Sequence, residues 1–390
     1  MSTRWALAAA LGLMMSSPMH ADQLDAAAGK ALFERQWIPA PSSTDASDGL
    51  GPLFNARSCS ACHKDGGGAR FVVELADGKQ KLAGAVVRLG SSSGALDPYY
   101  GLQLQTNALP GMSPEADVSF MPKLTIKLLG PPLAPETRMG VRLAPSLIGA
   151  AALDSVPDSE IISRADPDDK NGDGIRGRAR VTPDGIGRFG WKAAQAALLG
   201  QIAHAFAIDI GLSSPLRPLP YGDCTAAETE CQNAPNGESP LTDHREVSNV
   251  ALDIVAQYLT TLKSQAKETK SLEAALFDKS GCATCHVPIL TAKDGSKIPA
   301  FTDLLLHNMG PELDDGVGEP GVASFEWRTA PLHNRFPRGL LRHYLHDGSA
   351  GTIGEAVEKH GGEASTSREA FRNLSDGDRK LLIDYVNGPE

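Results

Sequence analysis

Apolar and polar positions follow helical periodicity in six segments of the chain. They are predicted to form helices at about 23–36, 191–208, 244–263, 269–280, 352–359 and 376–386. The stretches between them are rich in glycine and proline, and three are unusually long for loops: residues 39–52, 107–145 and 211–240. Residues 69–90 alternate instead like a short β-hairpin. We therefore predict a mainly α fold with long loops and a small β-hairpin insertion.

The first 21 residues resemble a cleavable signal peptide. Arg4 supplies the positive charge, residues 5–15 form a short apolar run, and Met19-His-Ala21 resembles a cleavage site. No later segment reaches the roughly 18 apolar residues of a membrane-spanning helix. We predict a mature chain that starts near Asp22, lies in the periplasm and has no transmembrane anchor.

Composition and charge narrow the classes of function. The chain has 390 residues, of which 41% are hydrophobic and 22% charged, and this length suffices for two domains. The formal net charge is −10, with both signs interspersed. Since no block of lysine and arginine is present, we exclude nucleic-acid binding.

The motif Cys-x-x-Cys-His occurs twice, and it is the attachment signature of c-type haem. Its two thiols form thioethers with the porphyrin, and the adjacent histidine ligates the iron. A redox disulfide or half a zinc site would need no such histidine. We predict two covalent haems, the first held by Cys59, Cys62 and His63 and the second by Cys282, Cys285 and His286.

The segments around the two motifs are also repeated. Residues 29–33 and 272–277 precede the two motifs with similar sequences, and Arg142-Leu-Ala-Pro145 is echoed by Arg328-Thr-Ala-Pro331. A duplication of this kind predicts two cytochrome-c-like haem domains. We expect the N-terminal domain, with its insertions, at 22–270 and the C-terminal domain at 271–390.

Two cysteines remain outside the haem motifs. Cys224 and Cys231 flank a polar loop, and in an oxidising compartment they are expected to form a local disulfide. Two free thiols or a metal pair are the alternatives.

A calcium-type loop follows from a different pattern. Asp169-x-Asn171-x-Asp173-Gly has the spacing that directs several oxygens to one calcium ion, with the Ile175 carbonyl as a further ligand. Position twelve of a complete EF-hand loop is Glu, whereas Arg180 stands there. A turn-rich acidic loop without an ion is therefore the alternative.

The ordered set of motifs resembles the dihaem oxidoreductases described as peroxidases or thiol oxidoreductases. These look like distant relatives of bacterial dihaem cytochrome c peroxidases and of the dihaem enzyme that matures methylamine dehydrogenase. The matching segments are residues 51–63, 142–149, 187–193, 301–310, 345–348 and 355–363. They cover most of the mature chain in the family's order.

The resemblance implies roles for residues near the first haem. Trp191 and Gln201 match a Trp-(x)9-Gln element whose Trp lies between the haems and whose Gln lines the distal pocket. Asp209 is the nearest downstream acid for assisting peroxide cleavage. His204 competes with Asp209, because an imidazole can also move the proton and residues 201, 204 and 208 share one helical face. A core Trp191 and a solvent-facing His204 are the alternatives.

The resemblance also bears on the sixth iron ligands. For the second haem the candidates are His360, Met309, His346 and Tyr344. His360 is favoured because it follows a helix of the type that carries this ligand in the related peroxidases. A surface histidine beside a Gly-Gly turn is its alternative.

The first haem lacks an evident sixth ligand in the sequence. No histidine lies between His63 and His204, whereas the related peroxidases carry a displaceable one soon after their first motif. We expect either a permanently open iron or a ligand from elsewhere in the chain.

Three functions are compatible with these features. The leading one is peroxidase-like reduction of hydrogen peroxide or another small oxidant at the first haem, with electrons entering through the second haem. A small redox protein would be the donor, and the acidic net charge would suit a basic one. The alternatives are oxidation of an organic, thiol or protein substrate, and electron transfer without catalysis.

Overall fold

Helices account for a minority of the fold. The computed structural model describes residues 18–43, 48–73, 80–119, 124–264, 271–332 and 343–387. Of these residues 32% are helical and 17% lie in strands of many small sheets. The prediction of a mainly α fold was therefore wrong. Its physical reason is that most strands are two to four residues long, too short to produce a visible alternation of apolar and polar positions.

Ten α-helices lie within the described residues. They are α1 (Pro18–Glu34), α2 (Cys59–Cys62), α3 (Asp158–Ile162), α4 (Leu198–Ala205), α5 (Thr229–Gln232), α6 (Asn249–Thr261), α7 (Leu272–Lys279), α8 (Ile353–Glu358), α9 (Ser365–Arg372) and α10 (Asp376–Asn387). Serine or threonine caps begin several of them, as at Ser248, Ser271 and Thr352, whose hydroxyls accept backbone N–H groups of the first turn.

Fifteen short strands accompany these helices in the same part of the chain. They are β1 (Leu53–Phe54), β2 (Arg70–Val73), β3 (Gln80–Ala83), β4 (Ala85–Gly90), β5 (Gln103–Leu104), β6 (Asn107–Ala108), β7 (Ala116–Ser119), β8 (Thr125–Leu128), β9 (Arg138–Leu143), β10 (Val181–Thr182), β11 (Gly185–Ile186), β12 (Ile289–Thr291), β13 (Lys297–Pro299), β14 (Leu306–Asn308) and β15 (Glu326–Arg328). All of their pairings are antiparallel.

The predicted hairpin is part of a larger β region. Strands β2 and β3 pair as expected. Strand β4, also within 69–90, belongs instead to a three-stranded sheet in the order β5-β4-β9. In this sheet Arg88 stands opposite Gln103, and Val87 stands opposite Leu104 and Val141. The insertion is thus larger than a hairpin.

The predicted helix at 191–208 was only partly correct. Residues 189–197 form a tight loop in which Phe189 pairs with Gln195, and Ala193 has a positive φ of 53°. Helix α4 begins at Leu198 and continues as a π-helical turn, Phe206–Ile210. The loop and the π turn both alter the helical register that periodicity implied.

The main apolar core lies between α1, α4 and α6. Gly29 of α1 permits the close contact with α6, since a Cβ there would lie 1.8 Å from the Ile254 carbonyl oxygen. The same core includes Leu290 and Leu305 from the C-terminal half. A second core joins α7, α9 and α10. Because the main core includes residues from both sides of 270, the division into two cytochrome-c-like domains stays a prediction.

The N-terminal predictions concern a region that is only partly described. Residues 1–17, most of the predicted signal peptide, lie outside the described residues. Among the described residues, no helix has the length and apolarity needed to cross a membrane.

Candidate functional site

The first haem motif occupies a single helical turn. Ser58 caps α2 by accepting the Ala61 N–H at 3.2 Å, and α2 contains both Cys59 and Cys62. His63 follows directly as the C-terminal cap. The two thiols and the imidazole therefore belong to one compact turn, as attachment to a single porphyrin requires.

The ring orientation of His63 suits an iron ligand. Its Nδ1 lies 3.1 Å from the Gly67 carbonyl oxygen, and the Pro145 carbonyl also interacts with the ring. A carbonyl only accepts hydrogen bonds, so Nδ1 carries the proton and Nε2 keeps its lone pair. Burial lowers the pKa of His63, which also favours the neutral ligand form.

The second motif repeats this arrangement after α7. Cys282 begins a short 3₁₀ turn that ends in Cys285, and His286 follows. His286 Nδ1 lies 3.2 Å from the Phe301 carbonyl oxygen, and the Ala330 carbonyl is a second partner. Again Nε2 is left for the iron.

The repeated Arg-x-Ala-Pro segments contact the two proximal histidines. Pro145 belongs to the first segment and Ala330 to the second, and the backbone of each acts to raise the pKa of its own haem histidine, against the larger lowering by burial. The sequence repeat therefore has a structural counterpart at the two sites. The residues present fit two haems by the chemistry of their donor atoms, with four thiols and two oriented imidazoles.

Trp191 is hydrogen-bonded to both repeated segments. Its indole Nε1 donates to the Leu143 carbonyl at 2.7 Å, two residues before Pro145. Its own carbonyl accepts the Arg328 N–H at 2.9 Å, two residues before Ala330. The half-buried indole therefore lies between the backbone segments that orient the two proximal histidines.

A cation-flanked stack next to Trp191 was not anticipated from the sequence. Trp327 stacks on His346 with ring centroids 3.7 Å apart. Lys192 Nζ lies 3.8 Å from the Trp327 ring centroid, and the Arg142 guanidinium lies 4.5 Å from it. Lys192 also donates to the carbonyls of three residues, 323, 324 and 326, at 2.8–3.0 Å. No local motif signals this arrangement, because its members come from four distant segments.

His360 is the candidate sixth ligand whose ring acts electrostatically on His286. Burial lowers the pKa of His286 to about 4, and the neighbouring His360 ring is the second cause of this lowering. The Nδ1 atom of His360 lies 2.7 Å from the Ala356 carbonyl oxygen, which leaves Nε2 available. By contrast, His346 is stacked on Trp327, and the Tyr344 hydroxyl donates to Asn387. Met309 is half-buried near the turn that follows His360.

A buried carboxylate–imidazole–carboxylate network supports the turn after His360. His307 lies 2.9 Å from an Asp303 carboxylate oxygen and 2.7 Å from a Glu363 carboxylate oxygen. Its ring also lies 3.9 Å from Cys285 Sγ. Among the described residues, Cys285, Asp303 and His307 form the one convergent group of potential metal ligands. Because Cys285 belongs to the haem motif, we interpret the group as part of the second haem site.

The structure separates the two candidate acid–base residues of the first haem. Asp209 lies in the π turn. Burial lowers the pKa of His63 and the charge of Asp209 opposes this, whereas burial raises the pKa of Cys59 and the charge of Asp209 adds to it. His204, on α4, is influenced instead by the positive charges of Arg88 and Arg217, and burial lowers its pKa to about 3.

Gln201 and Asp209 have different surroundings. Gln201 Oε1 lies 3.7 Å from the position of a Cβ on Gly190, the residue before Trp191. Asp209 Oδ1 accepts a hydrogen bond from Gln103 Nε2 at 3.0 Å. Gln103 is therefore a further residue near the first haem site, and no sequence signal identified it.

The two predicted accessory features differ in burial, since the two cysteines are buried and the calcium-type loop is largely exposed. Cys224 and Cys231 form the expected disulfide, with their Cα atoms 6.2 Å apart. In the calcium-type loop, the side chains of Asp169, Asn171 and Asp173 accept N–H groups of the loop itself. The role of Ile175 and the presence of calcium stay predictions.

Comparison with known proteins identifies the family. The family model described as "di-haem oxidoreductase, putative peroxidase" matches residues 15–92 and 132–388, most of the chain. The chain belongs to this family. It is therefore an oxidoreductase of a dihaem family, which confirms the resemblance drawn from the motifs. No curated protein and no solved structure gave a significant match.

The family match has one internal gap. Residues 93–131 are not covered by it. Strands β5, β6, β7 and β8 lie within this segment of the dihaem oxidoreductase.

Proposed function

We propose that this protein is a periplasmic c-type dihaem oxidoreductase of the peroxidase kind. Hydrogen peroxide would react at the first haem, and electrons from a small redox protein would enter through the second. The overall change is reduction of one peroxide by two electrons and two protons to two molecules of water.

The position of Trp191 is the observation that carries this proposal. The indole donates to the Leu143 carbonyl at 2.7 Å, and the backbone carbonyl accepts the Arg328 N–H at 2.9 Å. These partners belong to the segments that orient His63 and His286. An aromatic side chain in this position supports electron passage from the second haem to the first.

Differences between the two haem sites support a division of roles. His286 has His360 as a neighbouring imidazole, so we propose a six-coordinate, bis-histidine second haem for electron transfer. His63 has Asp209, a carboxylate, within its electrostatic influence. A carboxylate suits movement of a proton between the two peroxide oxygens, and we propose this role for Asp209.

At the first site the haem iron would supply the redox chemistry of O–O bond cleavage. His63 Nε2 would hold the iron, while Cys59 and Cys62 would fix the porphyrin edge. Asp209 would take a proton from the nearer peroxide oxygen and return it to the departing one. Gln201 would donate a hydrogen bond on the same side.

Two further observations support the proposed cell compartment and partner. The predicted signal peptide and the Cys224–Cys231 disulfide support export to an oxidising compartment. The net charge of −10 supports a basic donor protein, because opposite charges increase encounter rates.

A pair of matched variants tests the division of roles. Cys59→Ala/Cys62→Ala should leave one haem, the second, and abolish oxidation of the protein by peroxide. Cys282→Ala/Cys285→Ala should also leave one haem, but that haem should still react with peroxide while turnover with the donor protein is lost.

Haem content by mass spectrometry and the optical spectrum after peroxide addition distinguish the two variants. The proposal is contradicted if the variant that keeps only the first haem is inert to peroxide. A function in electron transfer alone would then be the better account.

A further inference from the structure

Of residues 93–131, which the family model does not match, the structure describes 93–119 and 124–131, and these are packed into the β region beside the first haem site. Tyr100, Leu104 and Ala116 from this segment are fully buried against Val87 and Leu89 of β4. Strand β5 pairs with β4, and the Tyr100 hydroxyl donates to the Pro131 carbonyl at 2.6 Å. The described parts of the segment are therefore packed into the fold.

This segment contacts the π turn that carries Asp209. Gln103 Nε2 donates to Asp209 Oδ1 at 3.0 Å, and Gln105 Nε2 donates to the Ile208 carbonyl at 3.0 Å. Asn55, whose side chain donates to the Leu104 carbonyl, also donates its backbone N–H to the Asp209 carbonyl at 2.9 Å. A π turn has a wider backbone than an α-helix and is rarely stable alone, so such external partners define its geometry.

Gln103 is held in a fixed position, as a residue that orients Asp209 would have to be. Its side chain is 0% exposed, and its backbone N–H is fixed by Asp223 Oδ2 at 2.9 Å. Since the Asp209 carboxylate only accepts hydrogen bonds when ionised, the amide must present its nitrogen to it.

The other end of the Gln103 amide has no such partner. Gln103 Oε1 is buried and makes no hydrogen bond with the described residues. An unpaired buried acceptor costs stability, and the amide keeps this orientation because its nitrogen is bonded to Asp209.

We propose that Gln103, supplied by the segment outside the family match, is the positioning residue that holds Asp209 for proton transfer at the first haem. This inference rests on the proposed role of Asp209. It assigns to residues 93–131 control over the geometry of the first haem site, beyond the attachment residues that the family shares.

A double-mutant cycle with two readouts tests the proposal. The variants are Gln103→Met, Asp209→Asn and the two combined, in the full protein with both haems. The first readout is the peroxide reaction rate. The second is the association rate of hydrogen cyanide with the oxidised first haem, which requires loss of the ligand's proton but no turnover.

We expect each single variant to slow both reactions by roughly 10- to 100-fold. The double variant should be slower than Asp209→Asn by less than about threefold, because Gln103 acts through Asp209. Tyr100→Phe is the matched control: it removes a buried hydrogen bond of the same segment and should leave both rates unchanged.

A swapped variant, Gln103→Glu/Asp209→Asn, is the control for slow rates that are caused by misfolding. It restores a carboxylate–amide pair and should recover thermal stability, while both rates stay low because the carboxylate is displaced. Recovery of the rates in this swap would overturn the proposal, as would additive losses in the cycle.

The two readouts separate this inference from the proposed function. If peroxide fails to react with the wild-type protein while the cyanide cycle is non-additive, the proposed function fails and the positioning role of Gln103 stands. If peroxide reacts while the losses are additive, the proposed function stands and the inference fails.

Discussion

Replacement of His307 by leucine should strongly destabilise the protein. His307 is 4% exposed and lies between the carboxylates of Asp303 and Glu363, whose side chains are 3% and 11% exposed. The variant leaves both carboxylates buried without the imidazole. Removing one partner of a buried ionic network costs about 3–5 kcal/mol.

The lower part of that range is the better expectation. After the substitution, Asp303 still accepts the Leu305 N–H at 2.9 Å, and Glu363 still accepts the N–H groups of Asn308 and Arg176, each at 2.9 Å. These hydrogen bonds still stabilise the two buried carboxylates in the variant. We therefore expect a loss of about 3 kcal/mol in the free energy of unfolding.

The loss should depend on pH in a defined direction. Burial acts to lower the pKa of His307, but hydrogen bonds with Asp303, Cys285 and Glu363 raise it well above its usual value. A group whose pKa is raised on folding stabilises most below its unfolded pKa, about 6.5 for histidine. The difference between wild type and variant should thus be largest below about pH 6.5 and disappear as the pH rises through the raised pKa of His307.

Urea unfolding followed by circular dichroism measures this difference across pH. Lys30→Met is the control, because it removes a surface pair with Glu34 at 3.8 Å and should cost under about 1 kcal/mol at every pH. A loss below about 1 kcal/mol for His307→Leu, or a loss that grows with pH, would refute the reasoning.

Three further predictions concern other parts of the molecule. Burial raises the pKa of Glu246 to about 7. Its ionisation therefore costs roughly 3 kcal/mol of stability as the pH rises from about 4.5 to 7, and urea unfolding of Glu246→Gln should lack this slope. Reduction of the Cys224–Cys231 disulfide should cost about 2.5 kcal/mol by the loop-entropy relation; an unchanged thermal midpoint would contradict this. Calcium at about 100 times its Kd should stabilise the protein by about 2.7 kcal/mol. Asp173→Asn should abolish that gain, and calorimetry without any calcium effect on the wild type would show that the loop binds no ion.

The compact turn at each Cys-x-x-Cys-His motif could be predicted because it is local, while covalent haem attachment stays a prediction. Each Cys-x-x-Cys-His motif consists of five consecutive residues, and these form the required turn without residues from elsewhere in the chain. The repeated segments at Arg142 and Arg328 were also visible as a repeat. Their function was not, because a contact between the Pro145 carbonyl and His63 joins residues that are far apart in sequence.

The fold class could not be predicted from periodicity. Two-residue strands such as β1 and β5 carry no alternation, so the β content was missed. The helix expected at 191–208 began late because the backbone around Ala193 adopts a positive φ, which apolar spacing does not encode. Gln103 was missed for a similar reason: only the pairing of β4 and β5 brings it to Asp209.

The measurement that tests the central claim most directly is stopped-flow spectroscopy of half-reduced protein mixed with hydrogen peroxide. The account predicts rapid peroxide-dependent oxidation of the reduced second haem in the wild type. The same oxidation should be slowed in Trp191→Phe, with haem content and stability close to those of the wild type. If the second haem is oxidised equally fast in Trp191→Phe, the proposed electron path is wrong. If neither haem spectrum changes with peroxide in the wild type, the peroxidase function itself is contradicted.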